Sequence, residues 1–394
     1  MGAGSGDAAV SVVLAHDYLT EAGGAERVVS ALAEHHADAP ILTSAVRPET
    51  LDPVLAAAYR SGRIRVSRLA PLLADKRRAK AAFPLLPAAF RAMAVPRADV
   101  LLTSSSGFAH HLRPQAGTFH AWYCHTPPRF LWDGEAYFAG QPGLARSLRP
   151  VLAALRRLDR RAAACVDLVI ANSRHTAERI RVVYGRDAAV LLPPVPCDRF
   201  RPTDERSGRL LVLSRLLPYK RIDVALAAAA SAGLPLDICG EGPDRPRLER
   251  LAGPGVRFLG RVSDAEARAL LARCSALLVP GREDLGLTVV EAQASGRPPI
   301  VLAEGGARET VQDGVSGFWA AGPDPAAFAA AIRRSIETPL PVDGLLAAAR
   351  RLDTPIFLAR LDALLAEAVE RRGVRTGVSR PGGDAVASGR EATP

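Results

Sequence analysis

Two carboxylates, Glu283 and Glu291, stand with seven residues between them in the segment Arg282-Glu-Asp-Leu-Gly-Leu-Thr-Val-Val-Glu-Ala-Gln-Ala-Ser-Gly296. An apolar run of strand length precedes the first, and the second falls in the opening turns of a helical pattern. Both can therefore reach the C-terminal edge of one strand. A carboxylate accepts hydrogen bonds from vicinal hydroxyls, which suits one of the pair to a sugar ring and the other to a ribose. Backbone amides at Gly286, Leu287 and Thr288 open the helix and would face phosphate oxygens. Glu291 has a plainer reading as well, since Thr288 and Glu291 fit the T-x-x-E capping box, which would only satisfy helix amides. Upstream, Ser214-Arg-Leu-Leu-Pro-Tyr-Lys-Arg221 puts Arg215 and Lys220 just past another strand. Two fixed cations there suit a diphosphate, because charge builds on the β-phosphate as a sugar departs and preorganised cations favour that state over the ground state. A solvated basic helix entrance would look the same. Near the N-terminus, Gly23 and Gly24 lie between a strand and a helix, where bare amides could approach a phosphate or simply make a turn.

The elements that must hold these residues repeat one rhythm. Apolar runs at Val10 to Ala15, Val100 to Thr103, Leu168 to Ala171, Ala189 to Leu192, Leu210 to Leu213, Leu236 to Ile238, Val256 to Leu259, Ala276 to Val279 and Pro299 to Leu302 alternate with helical patterns. Strands apolar on both faces belong to parallel sheets covered by helices, a doubly wound α/β architecture that binds ligands at the C-terminal strand ends. The proline-rich stretch Pro193 to Pro202 and the polar residues after it mark a hinge between two domains. After Phe318 the pattern turns helical through Val369, and from Arg372 the chain offers little to bury and is expected to be disordered.

Taken together, the E-x7-E element, Ser214-Arg-Leu-x-Pro-x-Lys220, Cys239-Gly-Glu-Gly-Pro and Gly305-Gly306 resemble the family 4 glycosyltransferases, in the same order and over nearly the whole chain. The resemblance implies a GT-B fold, two Rossmann-like domains facing a cleft, and a retaining reaction that needs no metal. It implies a first domain over 8–202, a second, nucleotide-sugar-binding domain over 208–350, a closing helix over 351–371 packing back on the first domain, and a tail over 372–394. By the same resemblance Glu283 holds sugar hydroxyls, Glu291 the donor ribose, Arg215 and Lys220 the diphosphate, and Gly23 and Gly24 the phosphate side of the cleft. Trp122-Tyr-Cys-His-Thr-Pro-Pro-Arg-Phe-Leu-Trp132, after Ser104-Ser-Ser106, resembles a subgroup that includes GDP-mannose-dependent mannosyltransferases of surface polysaccharide synthesis, and implies that His125 lies beside the transferred sugar. Asp17 and Arg129 are weaker site candidates. The chain has Leu285 where the family often has Phe.

Composition narrows the alternatives. The chain has no Asp-x-Asp, so the metal-clamping carboxylates of the other main transferase architecture are missing, in keeping with protein cations doing that work. Lone Glu283 reads as a binding group rather than a glycosidase nucleophile. Five dispersed cysteines lack metal or disulfide spacing and fit a reducing cytoplasm, and no cofactor, signal peptide or membrane span is read. Formal net charge is +10, and ten Lys or Arg against one acid lie between Tyr59 and Arg97, interleaved with Leu69, Leu72, Phe83 and Leu85. That stretch suits an anionic membrane surface, or is a solvated basic face; the aromatic platforms that nucleic-acid binding would add are missing. Rival readings are a GT-B epimerase or phosphorylase and a catalytically silent, transferase-like subunit that binds a partner or lipid surface.

Overall fold

The computed structural model describes residues 10–21, 23–73, 82–133, 142–283 and 285–376. A seven-stranded sheet is built from β1 (Val12–His16), β2 (Ile41–Thr43), β3 (Ile64–Val66), β4 (Val100–Ser105), β5 (Phe119–Cys124), β6 (Leu168–Ala171) and β7 (Ala189–Val190), in the order β3-β2-β1-β4-β5-β6-β7. A six-stranded sheet follows from β8 (Leu210–Leu213), β9 (Leu236–Cys239), β10 (Val256–Gly260), β11 (Ala276–Val279), β12 (Pro299–Leu302) and β13 (Phe318–Ala320), in the order β10-β9-β8-β11-β12-β13. Every ladder is parallel. The two sheets repeat one plan, and strand order reverses between β1 and β4 in the first and between β8 and β11 in the second. Such reversals open crevices at the C-terminal strand ends. The loops after β1, β4, β8 and β11 carry most of the residues singled out above.

Five helices matter for the site and its support: α1 (Gly24–His35), α2 (Arg174–Tyr184), α3 (Ile222–Ser231), α4 (Leu287–Ala294) and α5 (Thr354–Thr376). Ser173 caps α2 by accepting from the Thr176 amide, and Gly185 ends it in the left-handed region at φ 65°. Helices cover both faces of each sheet, which explains why the strands read as unbroken apolar runs. The chain crosses between the domains twice, near Val195 and near Asp353, and the crossings are tied together: Val195 N–H donates to Leu352 O at 2.9 Å and Cys197 N–H to the Asp353 carboxylate at 3.2 Å. After the second crossing α5 buries Phe357, Leu361 and Leu365 in the core of the first domain. It stays helical to Thr376, beyond Arg372 where composition sets the start of the tail; residues 377–394 of that expected tail, and residues 74–81 of the basic stretch, lie outside the described residues.

Three short strands, β2, β3 and β13, and the six-residue β5 complete the sheets without a clear apolar signal in the sequence; β13 at Phe318–Ala320 opens the region expected to be helical. β5 is the informative case, because Phe119–Cys124 mixes His, Trp and Tyr yet is buried along its whole length. Its side chains are held by a polar network on the far side of the first sheet. Trp122 stacks on His110 with ring centroids 4.0 Å apart, and the buried Asp159 accepts from Trp132 Nε1 at 2.8 Å, Tyr184 O–H at 2.7 Å and His111 Nε2 at 3.2 Å. Thr103 Oγ1 and His120 Nε2 are 3.3 Å apart beside it. His110, His111 and Asp159 have a spacing that could hold a metal ion, but the carboxylate is already satisfied by protein donors, so the cluster reads as internal scaffolding.

Replacing Phe357 by Ala should cost about 3–5 kcal/mol, the usual range for a buried aromatic, and lower the urea midpoint of the first domain; an unchanged midpoint would show that α5 is not part of its core. The buried histidines make stability depend on pH. Burial pushes His111 down to about 4 and His120 to about 3, and it lowers His36 as well. These groups bind fewer protons folded than unfolded, so the stability they contribute is complete above the ordinary imidazole value near 6.5 and declines as pH falls towards their folded values, by up to about 1.4 kcal/mol per pH unit for each. For His16, burial opposes the charged form but Glu26 and Asp17 outweigh it and raise the pKa, giving the opposite sign. With His125, which burial also brings down to about 3, four groups against one leave a net loss, and urea midpoints should be lower at pH 5 than at pH 7; equal midpoints would contradict the assignment.

Candidate donor-binding cleft

The first domain contributes the loops after β1, β4 and β5. Asp17, directly after β1, is a structural anchor rather than a free site group: its carboxylate accepts from the backbone amides of Ser106, Gly107, Phe108 and Ala109 at 2.7–2.9 Å and from Ser105 Oγ at 3.0 Å. One side chain thereby fixes the loop after β4 against the end of β1. His16, the last residue of β1, donates from Nδ1 to Ser104 O at 2.8 Å and turns Nε2 towards Glu26 Oε1, 3.9 Å away. Glu26 also sits close over Gly23, where a Cβ would stand 2.7 Å from its carboxylate oxygen. Gly23 is the extended N-cap of α1 and Gly24 its first residue.

His125 follows β5 and is nearly enclosed, 9% exposed, with Ser104 Oγ 2.8 Å from Nε2 and the His16 ring 6.3 Å away, edge to face. Burial, and secondarily the charge on His16, bring its pKa down to about 3, so the imidazole is neutral near pH 7. Arg129 begins the short helix Arg129–Trp132 and lies over the Tyr219 ring of the second domain, 5.8 Å from its centroid.

In the second domain, the segment after β8 makes a 3-10 turn at Pro218–Lys220 and enters α3 through Arg221, which is held at φ +51°. It is the one non-glycine residue at positive φ among those described, and such outliers gather at functional loops. Lys220 is ion-paired with Glu283, on the loop after β11. Two glycines of the sequence motifs have a steric reason here. A Cβ on Gly240, at φ +134°, would collide with the carbonyl of Ser214, and one on Gly305, at φ +64°, with the carbonyl of Glu283. Each lets a neighbouring backbone pack directly against a loop that carries the site.

α4 opens at Gly286 in the left-handed region with no side-chain cap, so the T-x-x-E capping box at Thr288 does not form. The capping box in this domain is instead Ser263 with Glu266, which opens the helix Asp264–Arg273. Glu291 is released from that structural role and is buried at 3% exposure, with Arg27 of α1 ion-paired to it from across the cleft. Burial pushes the Glu291 carboxyl up and Arg27 pulls it back.

The structure brings the candidates together from both sides. Gly24 lies so close to Leu287 that a Cβ there would stand 2.8 Å from the leucine Cδ1; Arg27 meets Glu291; Arg215 lies 3.6 Å from Glu21; and Glu309 of the second domain accepts from the Arg174 amide at the N-terminus of α2 at 2.8 Å. His125 belongs to a neighbouring cluster with Ser104, His16 and Glu26, joined to the Gly23 loop through Glu26. Sequence reasoning missed Arg27, His16, Ser104 and Glu309. The Glu-Arg pair just after the two glycines was the available signal for Arg27; the others gave none.

Residues 22–199 match the family model Glycosyltransferase Family 4, and residues 198–351 match Glycosyl transferases group 1. A D-inositol 3-phosphate glycosyltransferase from Geodermatophilus obscurus is 36% identical over 204 residues, 42% of this chain and 45% of the relative. Another from Mycolicibacterium paratuberculosis is 32% identical over 246 residues, 53% and 55% of the two chains. The chain thus spans about half the length of these curated relatives. Among solved structures, sucrose-phosphate synthase from Thermosynechococcus elongatus shares the fold at TM-score 0.70 and 18% identity, covering 91% of this chain and 98% of that one. Anabaena HepE in complex with UDP-glucose does so at TM-score 0.65 and 18% identity, covering 91% and 100%. Two parallel-sheet domains, each with a switch-point crevice, give the chain the GT-B fold, with a first domain similar to Glycosyltransferase Family 4 and a second similar to Glycosyl transferases group 1.

Proposed function

We propose that the protein is a retaining glycosyltransferase that takes a sugar from a nucleoside-diphosphate donor held in the cleft and passes it to a glycan or lipid-linked glycan. The observation that carries this reading is the pairing of Lys220 with Glu283 beside the uncapped N-terminus of α4, with Gly24 directly opposite. A cation, a set of free helix amides and a hydroxyl-binding carboxylate meet there at the C-terminal strand edges, which is the set of groups a sugar diphosphate requires.

In this mechanism the diphosphate lies against the amides of Gly286 to Thr288, Lys220 and Arg215, and these positive groups stabilise the charge that grows as the anomeric carbon–oxygen bond breaks. That supports a reaction driven by protein cations, with no metal required. Glu283 holds sugar hydroxyls and Glu291 the ribose. The acceptor hydroxyl attacks from the face the diphosphate leaves, and its proton passes to the departing β-phosphate oxygen. His125 is neutral and stands beside the sugar as a hydrogen-bonding group. Closure of the domains, through Arg27 and Glu291 among others, keeps water from the donor.

The Trp122–Trp132 segment supports mannose from GDP-mannose as the donor, whereas the curated relatives are named for inositol phosphate and the solved neighbours include complexes with UDP and UDP-glucose. Calorimetric titration with GDP and with UDP, each with and without EDTA, separates these: micromolar binding of one, unaffected by EDTA and weakened at least tenfold in Lys220→Ala, is the expected result. Binding of neither would overturn the donor reading. Glu283→Gln should lose transfer at least a hundredfold with its far-UV spectrum unchanged, and full activity would remove Glu283 from the site.

For the acceptor, the basic stretch supports contact with an anionic membrane surface. No described helix is long and apolar enough to cross a membrane, and Leu72 and Leu85 are exposed among the arginines and lysines of residues 59–97. Cosedimentation with anionic liposomes at low salt is expected, with release at high salt; protein that stays wholly in the supernatant at low salt would refute the contact.

A further inference from the structure

His125 is the one imidazole beside the proposed sugar position, and its chemistry depends on which ring nitrogen bears the proton. Nε2 meets Ser104 Oγ at 2.8 Å. Ser104 is 1% exposed, and its hydroxyl has no other hydrogen-bond partner among the described residues. If Nε2–H donated to Oγ, the serine proton would be left buried without an acceptor, a costly arrangement. If the hydroxyl donates to Nε2, only an oxygen lone pair is idle, and the ring must carry its proton on Nδ1. Nδ1 has no hydrogen-bond partner among the described residues, and the residue as a whole is 9% exposed.

We propose that Ser104 is a positioning residue that holds His125 as the Nδ1–H tautomer, so that the ring offers a hydrogen bond to an oxygen of the transferred sugar. The inference deepens the transferase reading and rests on it for the identity of the ligand, but not for the tautomer itself. The same serine is gripped from the other side. Its carbonyl can only accept, so the His16 nitrogen 2.8 Å away must be Nδ1–H. Nε2 of His16 then faces Glu26, which favours the charged ring, and a cation 6.3 Å from His125 discourages a second positive charge there. With its pKa near 3, His125 cannot take up a proton at neutral pH and acts as a neutral donor, not a general base.

The first test needs no substrate. In full-length protein labelled with 15N-histidine, with His125 assigned by comparison with His125→Asn, Nδ1 should show the shift of a protonated nitrogen and Nε2 that of a bare one, unchanged from pH 5 to 8. An Nε2–H ring, or titration within that range, overturns the proposal. Ser104→Ala should shift the tautomer balance and lower kcat about tenfold with KM for the donor little changed, and Ser104→Thr, which restores a hydroxyl, should recover most of both. A Ser104→Ala protein with an unaltered tautomer and full kcat would also overturn it. Absence of turnover with every sugar nucleotide would instead remove the transferase reading while the tautomer measurement still decided the role of Ser104.

Discussion

A carboxylate buried as deeply as Glu291 cannot remain charged without a partner, and the partner it has belongs to the other domain. Desolvation favours the neutral acid, and the Arg27 guanidinium restores the balance from α1. The position of one domain on the other is therefore part of the electrostatics of the site. Arg215 facing Glu21, and Glu309 on the amides that open α2, repeat the arrangement on a smaller scale. A ligand entering between the domains meets groups already paired across the gap. Any such ligand has to offer these groups at least as much as they give each other.

The second domain is the more legible of the two. Its strands β8, β11 and β12 are four residues each, almost all Leu, Val and Ile, β9 and β10 add one charged residue apiece to an apolar run, and the chemistry stands in fixed motifs after β8 and β11. In the first domain, β2 and β3 are three residues each, too short for a period to show, and β5 hides a fully buried strand behind His, Trp and Tyr. Asp17 illustrates the limit on site residues. A carboxylate at the end of the first strand could face a ligand or bind backbone, and only the three-dimensional course of residues 105–109 decides for backbone. Arg27 and His16 escape for a related reason, since their partners lie 264 and 88 residues away in sequence.

The segment from Trp122 to Trp132 combines two kinds of residue. Trp122 stacks on His110, the Tyr123 hydroxyl donates to Leu191 O at 2.9 Å, and Trp132 reaches Asp159, so most of its large side chains are committed to the interior. His125 turns towards His16 at the end of β1, and Arg129 lies over Tyr219 of the second domain. The recognisable pattern thus records how a rigid mount is built as much as what it presents. A loop so fixed can hold an imidazole in one orientation, which a flexible loop could not.

The path of α5 has a further consequence, for the order in which the molecule assembles. Every strand of the second sheet lies between Leu210 and Ala320, so that unit is contiguous and complete as soon as its own residues have left the ribosome. The first sheet ends at Val190, but Phe357, Leu361 and Leu365 belong to its core and are translated after the whole of the second sheet. The domain made first must wait for the domain made second before its apolar surface is covered. During that interval the exposed face is a natural target for chaperones, and termination anywhere before α5 leaves it uncovered.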